Sequence, residues 1–347
     1  MALLAFASFA FVSCNMNEQE VNDQCSSGVV LIKNTGYYEL QLPSGLSVYF
    51  TNYSENGGLD NLTFDEDEIV TYTSFGTGFF ISDDGKIATN NHVVGSEFSN
   101  KQVNKAMKNI LEKVKSSLAS EYNELCEMEG KLDEQIKAKW MRNMDYSEEV
   151  ELKQKIAAKK EQYADSYNTF SKIKVSGAEL KHHCEISIAY NETYVTNSRD
   201  FIPCVVKATD ALHDLAIIQL KDKQTPAGKY VFTIPEEDPV ENYSFLETIT
   251  KTVGTDKNQK VILIGFNKGM ALANTTDGIK SQYTVGNISQ KDDNQMMYTI
   301  PSLPGSSGSP VLNLRGELVA VNYAGISSTQ SFNYGVRINY LRNLAAQ

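Results

Sequence analysis

The sequence predicts a mostly β protein: two antiparallel β-barrels, the first interrupted by a long α-helical hairpin. Three observations predict it. Short alternating apolar segments, punctuated by Gly, Pro and Asn, recur in two groups, as in small barrels. Between about Ser99 and Val175 that pattern gives way to charge-dense sequence with no proline and one glycine, Gly130. Within that stretch apolar residues recur mostly at three- and four-residue steps, the helical period. The expected boundaries are a leader over 1–14, a linker over 15–28, the first barrel over 29–98 and 176–222, the hairpin over 99–175, and the second barrel over 223–347.

The leader comes first. Ala2 to Ser13 is apolar and small and ends at Cys14. That is the length of a signal-peptide core, too short to span a bilayer. Phe11-Val12-Ser13-Cys14 resembles the bacterial lipoprotein cleavage box. The resemblance implies a lipid on Cys14, with the polar stretch Asn15 to Gln24 as spacer. Ordinary signal cleavage nearby is the alternative. Both predict an exported protein, periplasmic or outer-membrane-anchored in a Gram-negative bacterium. The net charge of −11 over 347 residues argues against nucleic acid or an anionic lipid surface as the main partner. Membrane contact is expected only through Cys14.

Val29 to Phe50 reads as short strands broken at Asn34-Thr35-Gly36 and Pro43-Ser44-Gly45. Asp83-Asp84-Gly85 lies between Gly76–Ser82 and Lys86–Thr89, a strong hairpin signal. Ser99 and Gln102 form a capping box before the first long helix. Val103, Met107, Ile110, Val114, Leu118, Tyr122, Leu125, Leu132, Ile136 and Trp140 make its stripe. Asn143 to Ser147 breaks it, and Asp145, with Glu148, is placed to cap a second helix. Leu152, Ile156, Tyr163, Tyr167 and Phe170 continue the stripe. Helix-on-helix packing explains it; the exposed faces are candidates for binding a partner or for self-association. Strands return at Cys184–Ile188, Phe201–Val206 and Asp214–Leu220. Lys221 to Lys229 reads as a connector, and further strands follow at Val261–Gly265, Tyr283–Val285, Met297–Ile300, Glu317–Val321 and Gly335–Ile338. Leu341 to Ala346 reads as a short helix.

Four cysteines follow Cys14: Cys25, Cys126, Cys184 and Cys204. Cys184 with Cys204 is the favoured pair, and four free thiols the alternative. His182 and His183 are adjacent on a strand and point to opposite faces, which spoils a shared metal site.

Three segments carry chemistry. Pro304-Gly305-Ser306-Ser307-Gly308-Ser309-Pro310 holds a serine in a tight glycine-flanked turn. Ala88 to Val94 carries His92, and His213 to Leu220 carries Asp214. A serine hydroxyl is a weak nucleophile that needs a base in reach, and the base needs a partner to fix its tautomer. Ser307, His92 and Asp214 supply the three parts in a workable order. The backbone N–H groups of Gly305 and Ser307 can bind an oxyanion, and glycine tolerates the dihedrals such a turn demands. No cofactor is needed.

The flanks of these residues resemble trypsin-like serine proteases, in particular the bacterial HtrA/Deg type. Gly76-Thr77-Gly78-Phe79-Phe80-Ile81-Ser82 through Thr89-Asn90-Asn91-His92-Val93-Val94 is similar to their histidine segment. Asp210 to Leu220 is similar to their aspartate segment. Gly305-Ser306-Ser307-Gly308-Ser309-Pro310 is similar to their nucleophile loop, with Ser309 where many members carry glycine. The resemblance implies two six-stranded barrels, an acyl-enzyme mechanism on protein or peptide substrates, a triad of His92, Asp214 and Ser307, and an oxyanion hole at Gly305 and Ser307. His92 and Asp214 lie farther apart than is usual in the family, and removing the helical segment restores an ordinary gap. The hairpin is therefore an insertion close after the histidine. No room is expected after the second barrel for a PDZ domain.

Pro301 stands where members that cut after basic residues carry an acid. Tyr323-Ala324-Gly325 match the strand that pairs with substrate backbone, and Gly335 matches a position at the pocket wall. The resemblance thus implies an uncharged pocket for small or medium apolar residues. His213 is expected at the barrel surface. A rival reading is an inert protease-fold scaffold whose hairpin binds a partner protein.

Overall fold

The structure, a computed structural model, describes residues 16–56, 58–96, 98–240, 260–325 and 332–347. The leader and Cys14 lie outside them. The chain divides into two compact units, residues 1–36, 73–96 and 184–347, and residues 37–72 and 97–183.

Two closed six-stranded antiparallel barrels and an inserted helical pair make up the described fold. In the first barrel, β1 (Val29–Gln41), β5 (Tyr72–Phe80), β6 (Lys86–Thr89), β9 (Leu215–Leu220), β8 (Ile202–Asp210) and β7 (Glu179–Tyr190) are neighbours in that order, and β7 closes on β1. A seventh strand, β2 (Ser47–Phe50), adds to β1 with Tyr38 opposite Phe50. Alternation along the strands sends Val30, Ile32, Phe80, Ile87, Ile188, Ala216 and Ile218 into one buried cluster. Gly85 turns the β5–β6 hairpin at φ +77°, a conformation that favours glycine.

The second barrel closes β10 (Lys260–Gly265), β13 (Gln282–Lys291), β14 (Gln295–Tyr298), β17 (Asn333–Arg337), β16 (Leu318–Gly325) and β15 (Pro310–Leu312). Val261, Leu263, Met296, Tyr298, Val311 and Val319 fill it. A two-stranded ribbon, β11 (Asn274–Thr275) with β12 (Gly278–Ile279), follows β10. The C-terminal helix Ile338–Ala345 buries Ile338, Leu341 and Leu344 in a cluster that joins residues of both barrels.

The linker expected over 15–28 is instead helical. α1 (Glu18–Cys25) starts at a capping box of Asn17 and Glu20 and buries Val21 and Cys25 completely. Two apolar residues four apart, behind a cap, suffice to dock this turn pair. Met16 N–H also donates to Leu314 O at 2.9 Å.

In the second unit, α3 (Asn100–Met141) and α4 (Ser147–Ser171) are antiparallel neighbours. The 42 residues of α3 span about 60 Å at about 1.5 Å each. Ser99 and Gln102 form the expected capping box. Val103, Met107, Leu111, Leu132 and Ile156 are buried, and ion pairs Lys160–Glu129 and Lys153–Asp133 join the helices. The stripe ends before the turn: Trp140 and Leu152 are exposed there. Asp145 accepts from Ser147 N–H at 2.9 Å, one residue outside the cap position, and Glu148 takes no part. This unit also holds a small hairpin, β3 (Asn52–Ser54) with β4 (Gly58–Asp60), and an aromatic pile in which His182 stacks on Tyr38 and His183 on Tyr37.

Cys184 and Cys204 are free thiols, as are Cys25 and Cys126, so the favoured disulfide is absent. The β7–β8 ladder runs only through Ser187–Pro203 and Ile188–Ile202. Its register points Cys204 at Ile186, not at Cys184.

Candidate active site

His92, Asp214 and Ser307 all belong to the first unit. His92 sits in the one-turn helix α2 (Asn91–Val94), directly after β6. Asp214 ends the turn before β9 and adopts φ +52°, a left-handed conformation that Asp accepts better than most residues. Asn90 Nδ2 donates to Asp214 O at 2.9 Å and anchors that turn. The Asp214 carboxylate then meets His92 twice: Oδ1 accepts its backbone N–H at 2.9 Å, and Oδ2 lies 2.6 Å from Nδ1. With Nδ1–H donating to a carboxylate, Nε2 is the basic nitrogen.

Ser307 lies in the loop between β14 and β15, and the carbonyls of the loop are held by hydrogen bonds. A trans peptide aims its C=O and the following N–H in opposite directions, and the described chain has no cis bond. Pro304 O accepts Lys268 N–H at 2.6 Å, which turns Gly305 N–H the other way. Ser306 O accepts Ser309 N–H at 3.1 Å and Asn322 Nδ2 at 3.0 Å, which turns Ser307 N–H away from Asn322. Gly305 O accepts Thr77 Oγ1 at 2.8 Å, and Ser307 O accepts Thr77 N–H at 2.8 Å. The N–H groups of Ser306 and Gly308 are used internally, by Leu303 O and Asn322 O. Those of Gly305 and Ser307 have no partner among the described residues.

The two glycines are required by geometry. Gly305 has φ +99°, and a Cβ there would lie 2.5 Å from Phe266 O. Gly308 has φ +86°, and a Cβ there would lie 2.1 Å from Thr77 O and 3.2 Å from Asn90 N. That closeness sets the serine loop against the strand that leads to His92. Ser309 is buried, and its hydroxyl fills the space left by Gly265, where a Cβ would lie 1.9 Å away.

Thr77, Lys268 and Asn322 contribute here without having been singled out in the sequence. Thr77 is central: besides its two bonds to the serine loop, its Oγ1 accepts Phe266 N–H at 3.0 Å. A threonine between two glycines is the only local signal. Gly76 and Gly78 leave room for Val93 and Ile87, 2.5 Å and 2.7 Å from where their Cβ atoms would be.

Pro301 is exposed just before the loop. Tyr323 occupies a bulge in β16, and its hydroxyl donates to Gln295 Oε1 at 2.7 Å. Ala324 and Gly325 pair with Tyr334 and Asn333. On the other side, β15 reaches only Pro310–Val321, and hydrogen bonds between Ser309 and Asn322 extend it by one step. Beyond that, the Tyr323–Gly325 edge meets no strand among the described residues. Gly335 faces Ala320 and the Tyr298 ring inside the barrel. His213 lies beside the site, 2.6 Å from Asp210 Oδ2, and stacks on Tyr340 at 3.7 Å between centroids.

Residues 175–321 match the family profile described as the trypsin-like peptidase domain. The match takes in Asp214 and Ser307 and stops short of His92, and it covers less than half of the chain. No curated protein matches the sequence. Among solved structures, a serine endoprotease from Yersinia pestis superposes with TM-score 0.44 at 12% identity, over 96% of this chain and 66% of that one. An HtrA-type protease, AlgW, solved with a decapeptide, superposes with TM-score 0.48 at 11% identity, over 95% of this chain and 66% of that one. The chain thus spans just under two thirds of the length of either.

Proposed function

We propose that this trypsin-like chain is an exported serine endopeptidase with His92, Asp214 and Ser307 as its catalytic triad. One observation carries the reading. All four carbonyls of residues 304–307 are held by hydrogen bonds, while the N–H groups of Gly305 and Ser307 are left without a partner among the described residues. Two such donors beside a serine, with an imidazole already oriented by a carboxylate, make an acyl-transfer site.

The steps follow. Ser307 Oγ attacks the scissile carbonyl carbon as His92 Nε2 takes its proton, and Asp214 stabilises the imidazolium. The carbonyl π electrons move to oxygen, which Gly305 and Ser307 N–H stabilise; each donor contributes about 3 kcal/mol in the transition state. Collapse breaks the C–N bond, and His92 gives its proton to the leaving amine. Water, deprotonated by His92, then attacks the acyl carbon; the ester C–O bond to Ser307 breaks, and His92 returns the proton to Ser307 Oγ as the acid leaves. The Tyr323–Gly325 edge, which meets no strand among the described residues, supports the reading of these residues as the strand that binds substrate backbone, with Pro301 near an uncharged pocket and Gly335 on the neighbouring strand, turned to the barrel interior. Substrates are proteins or peptides, and Cys14 carries a lipid after cleavage of the leader.

A rhodamine fluorophosphonate tests the reading. It labels the folded protein, and labelling disappears in Ser307→Ala and His92→Ala. A folded wild type that stays unlabelled overturns it. Mass spectrometry of the mature N-terminus from the native host tests the lipid: a diacylated Cys14 supports it, and an unmodified terminus removes it.

A further inference from the structure

We propose that Asn322 is a positioning residue for the Ser307 oxyanion donor, acting through the carbonyl of Ser306. The inference rests on the serine-peptidase reading and adds a residue that touches neither substrate nor the reacting atoms.

Asn322 lies on β16 and is 1% exposed. Its main chain already brackets the nucleophile. Its N–H donates to Ser309 O at 2.9 Å, and its C=O accepts Gly308 N–H at 2.8 Å. Its side chain then reaches the peptide on the other side of Ser307, where Nδ2 donates to Ser306 O at 3.0 Å. Because that peptide is trans, pulling its C=O toward Asn322 aims the Ser307 N–H outward.

The orientation of the amide is itself fixed. Tyr298, fully buried, donates its O–H to Asn322 Oδ1 at 2.6 Å. Burial holds that phenol well above its usual range, so it stays a donor. A donor at Oδ1 leaves Nδ2 to face Ser306, and the other way round would set the Tyr298 hydroxyl against an NH2 group. Ser302 and Ser306 hydroxyls, 2.5 Å apart, lie 3.4 Å and 3.3 Å from the same Nδ2 and complete a closed polar cluster.

The remaining bond to Ser306 O comes from Ser309 N–H at 3.1 Å. It keeps the loop in place without the side chain but leaves the peptide plane free to tilt. A tilt misdirects one oxyanion donor, whose outright removal in this kind of site lowers rates by about 10²–10³. Loss of Asn322 is an indirect effect, so the expected fall is about tenfold or more.

The test uses saturation kinetics of fluorophosphonate labelling, since phosphonylation of Ser307 seats a P–O oxygen between the same two N–H groups. In Asn322→Asp, which keeps the acceptor for Tyr298 and loses the donor to Ser306 O, the maximal labelling rate falls at least tenfold. The probe concentration giving half-maximal rate stays within twofold. Asn322→Leu behaves alike, and Tyr298→Phe shows a smaller fall in the same quantity. A folded Asn322→Asp or Asn322→Leu labelled at the wild-type maximal rate overturns the proposal. So does a change confined to the half-saturating concentration. If both Asn322 variants fail to fold, as judged by circular dichroism, while Tyr298→Phe is labelled at the wild-type rate, the residue is merely structural and the proposal falls. A reduced rate in folded Tyr298→Phe supports it. An unlabelled wild type defeats the peptidase reading itself, a different outcome from equal labelling of all variants.

Discussion

The Asp214 carboxylate grips His92 at two points, Oδ1 on its backbone N–H at 2.9 Å and Oδ2 on its ring Nδ1 at 2.6 Å. The first contact fixes where the residue is, and the second fixes which ring nitrogen carries the proton. Their side chains are 34% and 25% exposed, so the pair is mostly shielded from solvent but not closed off from it.

Asp214→Asn separates those roles. Asparagine also accepts the left-handed backbone at φ +52°, so the turn survives. Its amide keeps an acceptor for His92 N–H but offers an NH2 group to Nδ1, which favours the wrong tautomer. The fluorophosphonate labelling rate is expected to fall by about 10⁴, as for loss of the carboxylate in such triads, with an unchanged thermal midpoint. Labelling within tenfold of wild type contradicts the assigned role.

Thr77→Val removes a hydroxyl that donates to Gly305 O and accepts from Phe266 N–H. Both backbone groups are then left unsatisfied in a site where Thr77 is fully buried. A loss of about 1–3 kcal/mol in urea unfolding is expected, together with slower labelling. Thr77→Ser keeps the hydroxyl and recovers most of both. Equal behaviour of the Val and Ser variants refutes the bridging role.

His182 sets a pH dependence of stability. Burial, followed by the charge of His183, pulls its pKa down to about 4, and its Nε2 lies 2.5 Å from the Tyr72 hydroxyl. Unfolded, a histidine titrates near about 6.5. Between those values the unfolded chain binds more protons, so stability is lost as pH falls from about 6.5 toward 4. The fall in urea midpoint between pH 7 and pH 4.5 is expected to be smaller in His182→Phe than in wild type. Parallel pH profiles for the two count against the burial of a neutral ring.

Thiol reactivity follows burial in the same way. Burial pushes Cys25 up to about 11 and Cys204 up to about 12, so neither forms thiolate at pH 8. Peptide mapping after brief native iodoacetamide treatment at pH 8 is expected to find Cys126 modified, and Cys25 and Cys204 protected until urea is added. Recovery of Cys184 and Cys204 as a disulfide from the native protein contradicts their description as free thiols.

The barrels were legible because alternation and turn residues are local signals: Asp83-Asp84-Gly85 alone announces the β5–β6 hairpin. The insertion was legible for the same reason, since a period of two gives way to one near 3.6 at Ser99, where a capping box marks the start. Less visible was α1, because the polar stretch around Val21 and Cys25 looks like a spacer until both residues find a core to enter. The Cys184–Cys204 pair misled because neighbouring strands do not make facing residues, and register is decided by the whole ladder.

For the candidate site the division is sharper. The chain by itself supplied the reactive residue types and the glycines that let a turn around Ser307 form, since these depend on side-chain chemistry and backbone sterics within a few residues. Only the folded molecule decided what holds them in place. Thr77 reaches Gly305 across 228 residues, and Asn322 reaches Ser306 from the far side of a barrel strand. Neither contact leaves a trace in local pattern, because a hydrogen bond between distant segments is created by the packing that brings them together.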